Sequence, residues 1–478
     1  MYDILIIGAG VAGALIAREL GRYNLKTALI DKESDVACGT TKGNSAIIHA
    51  GFDAACGTLK AKLNVEGCAL MPQLAAELGV HYKNNGSLVC AFSDEETAQL
   101  EILKKRGETN GVPKLRIISG EELFGLEPNL SREVKAALYA PTAGIICPYF
   151  LTIAAAECAV LNGCDLFLDF EAEKITRCGD YFSVETPDQK KLEAKFIINS
   201  AGLYSDKIAA LFGEDTEDYK ITPRRGEYMV FDKLIGNTVS ATLFAVPSDK
   251  GKGVLVAPTV DGNLIVGPNA EKTNREDIST TADGLAEIQH NAVRLVPELN
   301  MRRVITSFAG LRATPKNEDF NIFISKNALH LIGIESPGLA ASPAIALYVV
   351  NMLKNNGINL TPKSDFNPVI TGKKAFREMS DDERYEAVRK NNLYAKIICR
   401  CETVTEAEIV DFINSPCPAR NLDAVKRRTR AGMGRCQGGF CSPRIVEILS
   451  RELGIDMSEV TKKGTGSHIL TGKTKILG

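Results

Sequence analysis

A glycine-rich loop near the start of the chain constrains the fold more than any other feature. Its residues, Gly8-Ala9-Gly10-Val11-Ala12-Gly13, fit the pattern G-x-G-x-x-G. Tyr2–Ile7 precedes the loop as an apolar run typical of a buried strand, and Val11–Leu20 continues it with a helical pattern. A second apolar run ends at Asp31. Strand, loop, helix and strand within about 30 residues predict a βαβ unit that binds an adenine dinucleotide.

Each glycine of this pattern has a physical purpose. Gly8 permits the tight turn, Gly10 lets the backbone approach a pyrophosphate, and Gly13 allows close packing of helix on strand. The helix N-terminus offers N–H groups and a positive dipole end to phosphates, and Asp31 can accept hydrogen bonds from the adenosine ribose. The loop alone fits FAD and NAD equally. Since no second G-x-G-x-x-G follows, we favour FAD alone.

Bulk composition describes an ordinary globular protein. The chain has 478 residues, of which 45% are hydrophobic and 24% charged, so two or three domains are expected. A net charge of −2 gives no reason to expect nucleic-acid binding. No apolar run approaches the roughly 18 residues of a membrane span, and the N-terminus lacks the features of a signal peptide. We therefore expect a cytoplasmic protein, with membrane association through a partner left open.

Several further segments resemble one enzyme superfamily. With the glycine loop, they are similar to the FAD-dependent oxidoreductases that include D-amino-acid oxidase, glycerol-3-phosphate dehydrogenase and L-2-hydroxyglutarate dehydrogenase. The segments that carry this resemblance, which covers about residues 2–353, are Thr40–Gly51, Asn199–Asp206, Arg224–Tyr228, Ala309–Arg312 and Ser336–Pro343. The resemblance implies an α/β fold, with a Rossmann-like FAD-binding domain and an inserted mixed-sheet substrate domain.

The same resemblance implies the site residues. His49 is expected near the isoalloxazine, where it could take a hydroxyl proton, and Arg312 is expected to hold an anionic group of the substrate. For Arg225 a substrate contact and a structural role remain open. The residues expected to contact FAD are Gly8, Gly10, Gly13, Asp31, Thr41, Asn44, Ser45, Ala201, Gly202, Asp206, Gly338 and Leu339.

Four cysteines near the C-terminus form a second motif. Cys399 and Cys401 are followed by Cys436 and Cys441, a C-x-C and C-x₄-C spacing that resembles the bacterioferritin-associated-ferredoxin-like [2Fe–2S] domain. The resemblance implies a small helical iron–sulfur domain, and a structural zinc site is the alternative use of four thiolates. The basic run 426–430 could offset the cluster charge, present a docking face or form a solvated helix face.

The expected domain organisation follows from these motifs. Residues 1–360 form the FAD-dependent oxidoreductase, 361–394 a polar connector with a short helix at Asp381–Lys390, 395–453 the [2Fe–2S] domain and 454–478 a polar tail. The whole arrangement resembles the catalytic subunits of anaerobic glycerol-3-phosphate dehydrogenases.

That resemblance implies a reaction. The expected substrate is a small anionic 2-hydroxy compound, with sn-glycerol 3-phosphate first and L-2-hydroxyglutarate second. Hydride would pass to flavin N5, and the electrons would go on to a partner protein or quinone. An amino-acid or amine oxidoreductase and a non-catalytic flavin electron-transfer module are the remaining alternatives.

Overall fold

The computed structural model describes residues 1–247, 253–370 and 374–472. Two segments expected as connector and tail therefore lie partly outside the described residues, at 371–373 and 473–478. The described strands, numbered along the chain, are β1 Tyr2–Ile7, β2 Thr27–Ile30, β3 Ile47–Ile48, β4 Tyr82–Lys83, β5 Ser87–Ala91, β6 Arg116–Ser119, β7 Ala136–Ala140, β8 Gly144–Ile146, β9 Asp165–Phe167, β10 Lys174–Cys178, β11 Tyr181–Glu185, β12 Lys191–Asn199, β13 Ile221–Phe231, β14 Thr242–Ala245, β15 Leu255–Pro258, β16 Leu264–Gly267, β17 Glu271–Lys272, β18 Val304–Pro315, β19 Asn321–Ser325, β20 Ala328–Ile332, β21 Ile397–Cys399 and β22 Val404–Thr405.

The described α-helices are numbered in the same way. They are α1 Val11–Leu20, α2 Leu59–Glu77, α3 Asp94–Thr109, α4 Gly120–Leu126, α5 Pro148–Leu161, α6 Ser205–Leu211, α7 Ala282–Leu295, α8 Gly338–Asn355, α9 Asp381–Lys390, α10 Glu406–Ile413, α11 Leu422–Thr429 and α12 Ser442–Leu453.

The first large sheet carries the glycine loop at its centre. Strand β1 pairs in parallel with β12 on one side and β2 on the other, and β9 and β20 extend the parallel part outward. The run Ile4–Ile6 is fully buried, as expected for a central parallel strand covered on both faces. Helix α1 packs against α5 and α8. The loop after β1 thus lies at the carboxyl edge of a Rossmann-like sheet, where dinucleotides bind.

The second large sheet is built from segments that lie between strands of the first. Its order is β17-β13-β16-β15-β14-β5-β7-β6, with β18 on the free side of β13. Most neighbours are antiparallel, but β14 and β5 are parallel, so the sheet is mixed. The long pair β13–β18 runs from Ile221 opposite Pro315 to Phe231 opposite Val304. This sheet is the inserted substrate domain that the sequence predicted.

A small, mainly helical unit follows the connector. The hairpin β21–β22 and helices α10, α11 and α12 enclose their own apolar core. Helix α9 occupies the predicted range, and it begins with a capping box in which Ser380 and Glu383 satisfy each other's backbone N–H groups. The α/β fold with an inserted mixed sheet and a C-terminal helical unit is therefore confirmed.

One helix boundary differs from the sequence pattern. The apolar residues of Pro343–Leu353 by themselves predict a helix over that range, but α8 begins five residues earlier at Gly338 and contains Pro343 in its interior. Proline cannot donate the backbone hydrogen bond that the Leu339 carbonyl would receive. The Ser342 hydroxyl donates to that carbonyl instead, at 2.8 Å, so the helix tolerates the proline.

Candidate active site

The glycine loop has the geometry of a phosphate-binding turn. Gly8 has a φ of +104°, a backbone conformation that residues with a side chain rarely adopt. A Cβ on Gly8 would lie 2.5 Å from the Ser200 carbonyl oxygen. A Cβ on Gly13 would lie 1.9 Å from the Gly8 carbonyl oxygen. Only glycines therefore permit β1, α1 and the β12 terminus to meet this closely. Gly13 packs within this junction and does not line the cavity described below.

The N-terminus of α1 is open toward the cavity. Its N-cap residue, Gly10, has no side chain to cap the helix, and the Val11 N–H contacts the Thr41 hydroxyl at 3.1 Å. Asp31 Oδ2 accepts the Ala9 N–H at 2.7 Å. Burial raises the pKa of the Asp31 carboxyl to about 6, against the opposing effect of the backbone N–H groups that it accepts. The turn can thus receive a pyrophosphate, with a ribose acceptor beside it.

A cavity of about 2010 Å³ opens between the two large sheets. Its walls include both candidate catalytic residues, His49 and Arg312. Most residues expected to contact FAD also line it, namely Gly8, Gly10, Asp31, Thr41, Asn44, Ser45, Ala201, Gly202, Gly338 and Leu339. Residues from positions 8 to 339 thus converge on one space.

Asp206 is the second expected FAD contact that does not line this cavity. Its carboxylate forms a two-point ion pair with Arg275, at 2.7 and 2.5 Å, and accepts the Ile221 N–H at 3.1 Å. Its buried side chain therefore joins α6 to β13. Arg275, which the sequence did not single out, lines the cavity in its place.

His49 follows β3 and is buried in the cavity wall. Its ring packs on Phe52 with a centroid separation of 4.5 Å. The Gly51 N–H donates to His49 Nδ1 at 3.2 Å, and Asn64 Nδ2 donates to the His49 carbonyl oxygen at 2.5 Å. Because a ring nitrogen that accepts a hydrogen bond carries no proton, this geometry indicates a neutral ring with its proton on Nε2.

The two candidate substrate arginines on β13 and β18 have different environments. Arg312 lines the cavity, and its Nη2 donates to the Asn269 carbonyl oxygen at 3.3 Å. Arg225 is buried and pairs with Asp277 at 2.6 Å and Glu227 at 3.3 Å. Of the two roles left open for Arg225, the structure therefore supports the structural one. Its neighbour Arg224 lines the cavity instead.

A second helix N-terminus also lines the cavity. Helix α8 begins at Gly338, and its N-cap residue, Pro337, makes no side-chain capping bond. Both Gly338 and Leu339 lie in the cavity wall. The positive dipole end of this helix suits negative charge on a reduced flavin. The glycine turn, Asp31 and the start of α8 thus line one cavity, so the residues fit FAD.

The four C-terminal cysteines form two pairs. The sulfurs of Cys401 and Cys436 lie 3.7 Å apart, and the thiols of Cys399 and Cys441 hydrogen-bond to each other. The bond to Cys441, helped by backbone N–H groups of Gly432 and Glu402, lowers the pKa of Cys399 to about 6. Two thiolate pairs suit a two-iron centre, in which each iron takes two cysteines. Within the described part of the chain, no three His, Cys, Asp or Glu side chains converge as ligands of one ion.

The basic run beside these cysteines is buried, which contradicts both the docking-face and the solvated-face interpretations. Arg427, Arg428 and Arg430 are each less than one-tenth exposed. The first two contact Asp35 of the FAD-binding domain. Arg430 contacts Asp261 of the substrate domain at 2.7 Å. The sequence missed this role because Asp35 and Asp261 lie more than 160 residues away in the chain.

Together, the glycine turn, the two open helix N-termini and a cavity with a histidine and an arginine in its walls define a flavin-dependent oxidoreductase. The family profile described as FAD dependent oxidoreductase matches residues 3–352, and the chain belongs to this family. A second profile, the BFD-like [2Fe-2S] binding domain, matches residues 397–451.

Individual relatives agree with this assignment. The chain is 50% identical over 99% of both sequences to a glycerol 3-phosphate dehydrogenase of Caloramator mitchellensis. It is 34% identical to a glycerol 3-phosphate oxidase of Mycoplasma genitalium, over 77% of this chain and 97% of the relative. The FAD-bound, dithionite-reduced L-alpha-glycerophosphate oxidase structure from Mycoplasma pneumoniae superposes with a TM-score of 0.74 at 33% identity, covering 78% of this chain and 99% of that one.

Among residues 1–247, 253–370 and 374–472, none of the helices combines the length and the apolar character needed to cross a bilayer.

Proposed function

We propose that this flavoenzyme oxidises sn-glycerol 3-phosphate at C2 to dihydroxyacetone phosphate. The C2 hydrogen leaves as hydride, the hydroxyl hydrogen leaves as a proton, and the two electrons are later passed to a partner protein or quinone. The observation that carries the proposal is the meeting of His49 and Arg312 in one FAD-sized cavity. The full-length relative at 50% identity supports the choice of substrate.

Specific residues would hold each cofactor. The turn at Gly8–Gly10, Asp31 and the N-terminus of α8 would hold FAD, which when bound supplies a two-electron hydride acceptor. Cys399, Cys401, Cys436 and Cys441 would hold a [2Fe–2S] cluster, a one-electron carrier, in preference to zinc. The two cysteine pairs support this preference.

Arg312 and His49 have distinct roles in the proposed reaction. Arg312 donates to the anionic group and fixes the approach of C2. His49 faces the hydroxyl to be oxidised, and a neutral imidazole is the natural acceptor of its proton. Since Nδ1 accepts the Gly51 N–H, the ring must first shift its proton from Nε2 to Nδ1 and give up that 3.2 Å contact. The shift leaves the N–H of buried Gly51 without its acceptor, which typically costs about 1–3 kcal/mol.

L-2-hydroxyglutarate is the runner-up substrate. A relative named L-2-hydroxyglutarate dehydrogenase from Caenorhabditis elegans is 30% identical over 75% of this chain and 93% of its own length. Both the identity and the share of this chain that is covered are lower than for the glycerol 3-phosphate dehydrogenase, which is why this substrate ranks second.

An anaerobic substrate screen on the purified holoenzyme tests the proposal. Loss of the oxidised-flavin absorbance would be followed after addition of sn-glycerol 3-phosphate, L-2-hydroxyglutarate or a set of amino acids. We expect rapid bleaching with the first compound only. Bleaching by one of the others alone would overturn the substrate assignment, and reduction only by a partner flavoprotein would favour the non-catalytic alternative.

A further inference from the structure

Two arginines face each other across the strand pair β13–β18, at one edge of the substrate-domain sheet. In the antiparallel pair β13–β18, Arg224 lies directly opposite Arg312. Directly opposed residues project from the same face of a sheet, with Cβ atoms about 5 Å apart. Both side chains line the cavity, and each is partly exposed there. The register therefore brings two guanidinium groups to one side of the cavity.

This face of the sheet abuts the segment Thr40–Gly51, which carries His49. Two residues along the strands, Gly226 lies opposite Gly310. A Cβ on Gly310 would lie 2.9 Å from Gly43 Cα, and a Cβ on Gly226 would lie 2.9 Å from Arg312 Nη2. Two residues of a strand span about 7 Å. The α-carbons of the arginine pair thus lie about 7 Å along the strands from the Gly226–Gly310 pair that meets Gly43, and the Arg312 guanidinium reaches back over Gly226.

Within the described part of the chain, the two arginines lack carboxylate partners. Among the described residues, neither Arg224 nor Arg312 forms an ion pair with a carboxylate, whereas buried Arg225 on the opposite face has two. Lys272, which pairs with Arg224 from β17, adds a third cation to the same row and also lines the cavity. Like charges directly opposite each other destabilise a sheet. An anionic ligand bound between them would remove that cost.

We propose that Arg224 and Arg312 together form a binding site for a dianionic phosphate monoester, and that Arg224 is the residue that selects phosphate over a single carboxylate. A phosphate monoester carries a charge of about −1.5 to −2 at neutral pH and offers three acceptor oxygens, so two guanidinium groups can be satisfied at once. A single carboxylate carries one charge and is satisfied by Arg312 alone. This inference rests on the proposed function, which it deepens by naming the residue that recognises the phosphate.

Binding of inorganic phosphate to the oxidised holoenzyme tests the site without turnover. The probe is the perturbation of the flavin spectrum during titration with phosphate, compared with titration with acetate. We expect Arg224→Gln to weaken phosphate binding by about 10- to 100-fold, the usual effect of losing a charge-assisted hydrogen bond, while acetate binding stays within about twofold. Arg224→Lys should retain part of the affinity, because one charge remains.

Control variants separate this role from a structural one. Arg302→Gln removes an exposed arginine just before β18 and should leave phosphate binding unchanged. FAD content and thermal midpoint of each variant verify folding, and Arg224→Lys serves if Arg224→Gln does not fold. An unchanged phosphate affinity in either Arg224 variant, an equal loss for phosphate and acetate, or no phosphate binding to the unsubstituted protein would overturn the proposal. The result does not depend on which compound bleaches the flavin, so it is distinct from the test of the proposed function.

Discussion

Arg428 of the C-terminal domain and Asp35 of the FAD-binding domain form a two-point ion pair that both domains bury. The contacts are 2.8 Å from Nη1 to Oδ2 and 2.8 Å from Nη2 to Oδ1, and the two side chains are 0% and 1% exposed. Arg427 adds a third contact to Asp35 at 2.5 Å. The cysteine-rich unit is therefore held directly on the loop that follows the dinucleotide-binding βαβ unit.

Removal of the Asp35 charge should loosen this junction. Asp35→Asn leaves two arginines buried without a counter-charge, which typically costs about 3–5 kcal/mol. We expect a lower urea midpoint for the C-terminal unit, and earlier proteolysis in the 395–453 region, while the FAD-binding domain unfolds later. Asp94→Asn, which breaks an exposed contact with Lys135, is the matched control and should change little. Equal midpoints for the two variants would contradict this account.

The same pair predicts a pH dependence of stability. Burial alone would raise the pKa of Asp35, but the charges of Arg428 and Arg427 outweigh it and hold the pKa below its usual 3.8. A carboxyl with a depressed native pKa contributes stability that is present above the unfolded value and lost as pH falls through the native value. Urea midpoints of the unsubstituted protein and Asp35→Asn should therefore differ at pH 7 and converge only below about pH 4. A difference that persists unchanged at low pH would contradict the assignment.

Asp31 predicts a pH dependence of cofactor binding with a different midpoint. Burial raises the pKa of its carboxyl to about 6 in the protein without ligand, so the group takes up a proton as pH falls from 7 to 5. A protonated carboxyl accepts hydrogen bonds from a ribose less well, and we expect FAD to bind more weakly to apoprotein at pH 5 than at pH 7. Fluorescence titration measures the change. FMN, which lacks the adenosine ribose, is the control, and its affinity should not fall between pH 7 and pH 5.

His49→Asn should reduce the rate of flavin reduction far more than substrate affinity. Loss of a general base typically costs about 10²- to 10⁴-fold in rate. Anaerobic stopped-flow measurement of flavin bleaching by sn-glycerol 3-phosphate gives this rate directly, and raising the pH should restore part of it by ionising more of the substrate hydroxyl. His290→Asn, an exposed residue of the same cavity wall, is the control and should react nearly as fast as the unsubstituted protein. Equal rates for both variants would exclude His49 as the base.

The cysteine pairs predict a metal content that serine substitutions change selectively. Cys399→Ser and Cys436→Ser each remove a ligand from a different pair, and both should lose iron, acid-labile sulfide and the cluster's visible absorbance while retaining FAD. Cys178→Ser, on the partly exposed strand β10, is the control and should retain both. Zinc in place of iron and sulfide in anaerobically purified protein would favour the structural-zinc alternative.

Local patterns of the sequence were sufficient for the main architecture. The strand, loop and helix at 2–20 follow from nearest-neighbour preferences and helix geometry, and β1 and α1 have the predicted bounds. Helix α9 carries its own start signal in Ser380 and Glu383 and was likewise predicted. Such features depend on residues a few positions apart, which is the range over which sequence patterns carry information.

The pairing of distant charges required the tertiary structure. The adjacent residues Arg224 and Arg225 look equivalent in the sequence, yet strand alternation directs one into the cavity and the other toward Asp277 and Glu227. Asp206 was expected to contact FAD, but its carboxylate forms an ion pair with Arg275, which lies on a loop 69 residues later in the chain.

The sequence by itself determined the dinucleotide turn, the spacing of the four cysteines and the order of the domains, because each is written in short contiguous motifs. The tertiary structure alone decided which charges are neutralised and which remain available to a ligand. That outcome depends on strand register and on partners brought together across domains, and neither leaves a signal in the neighbouring residues.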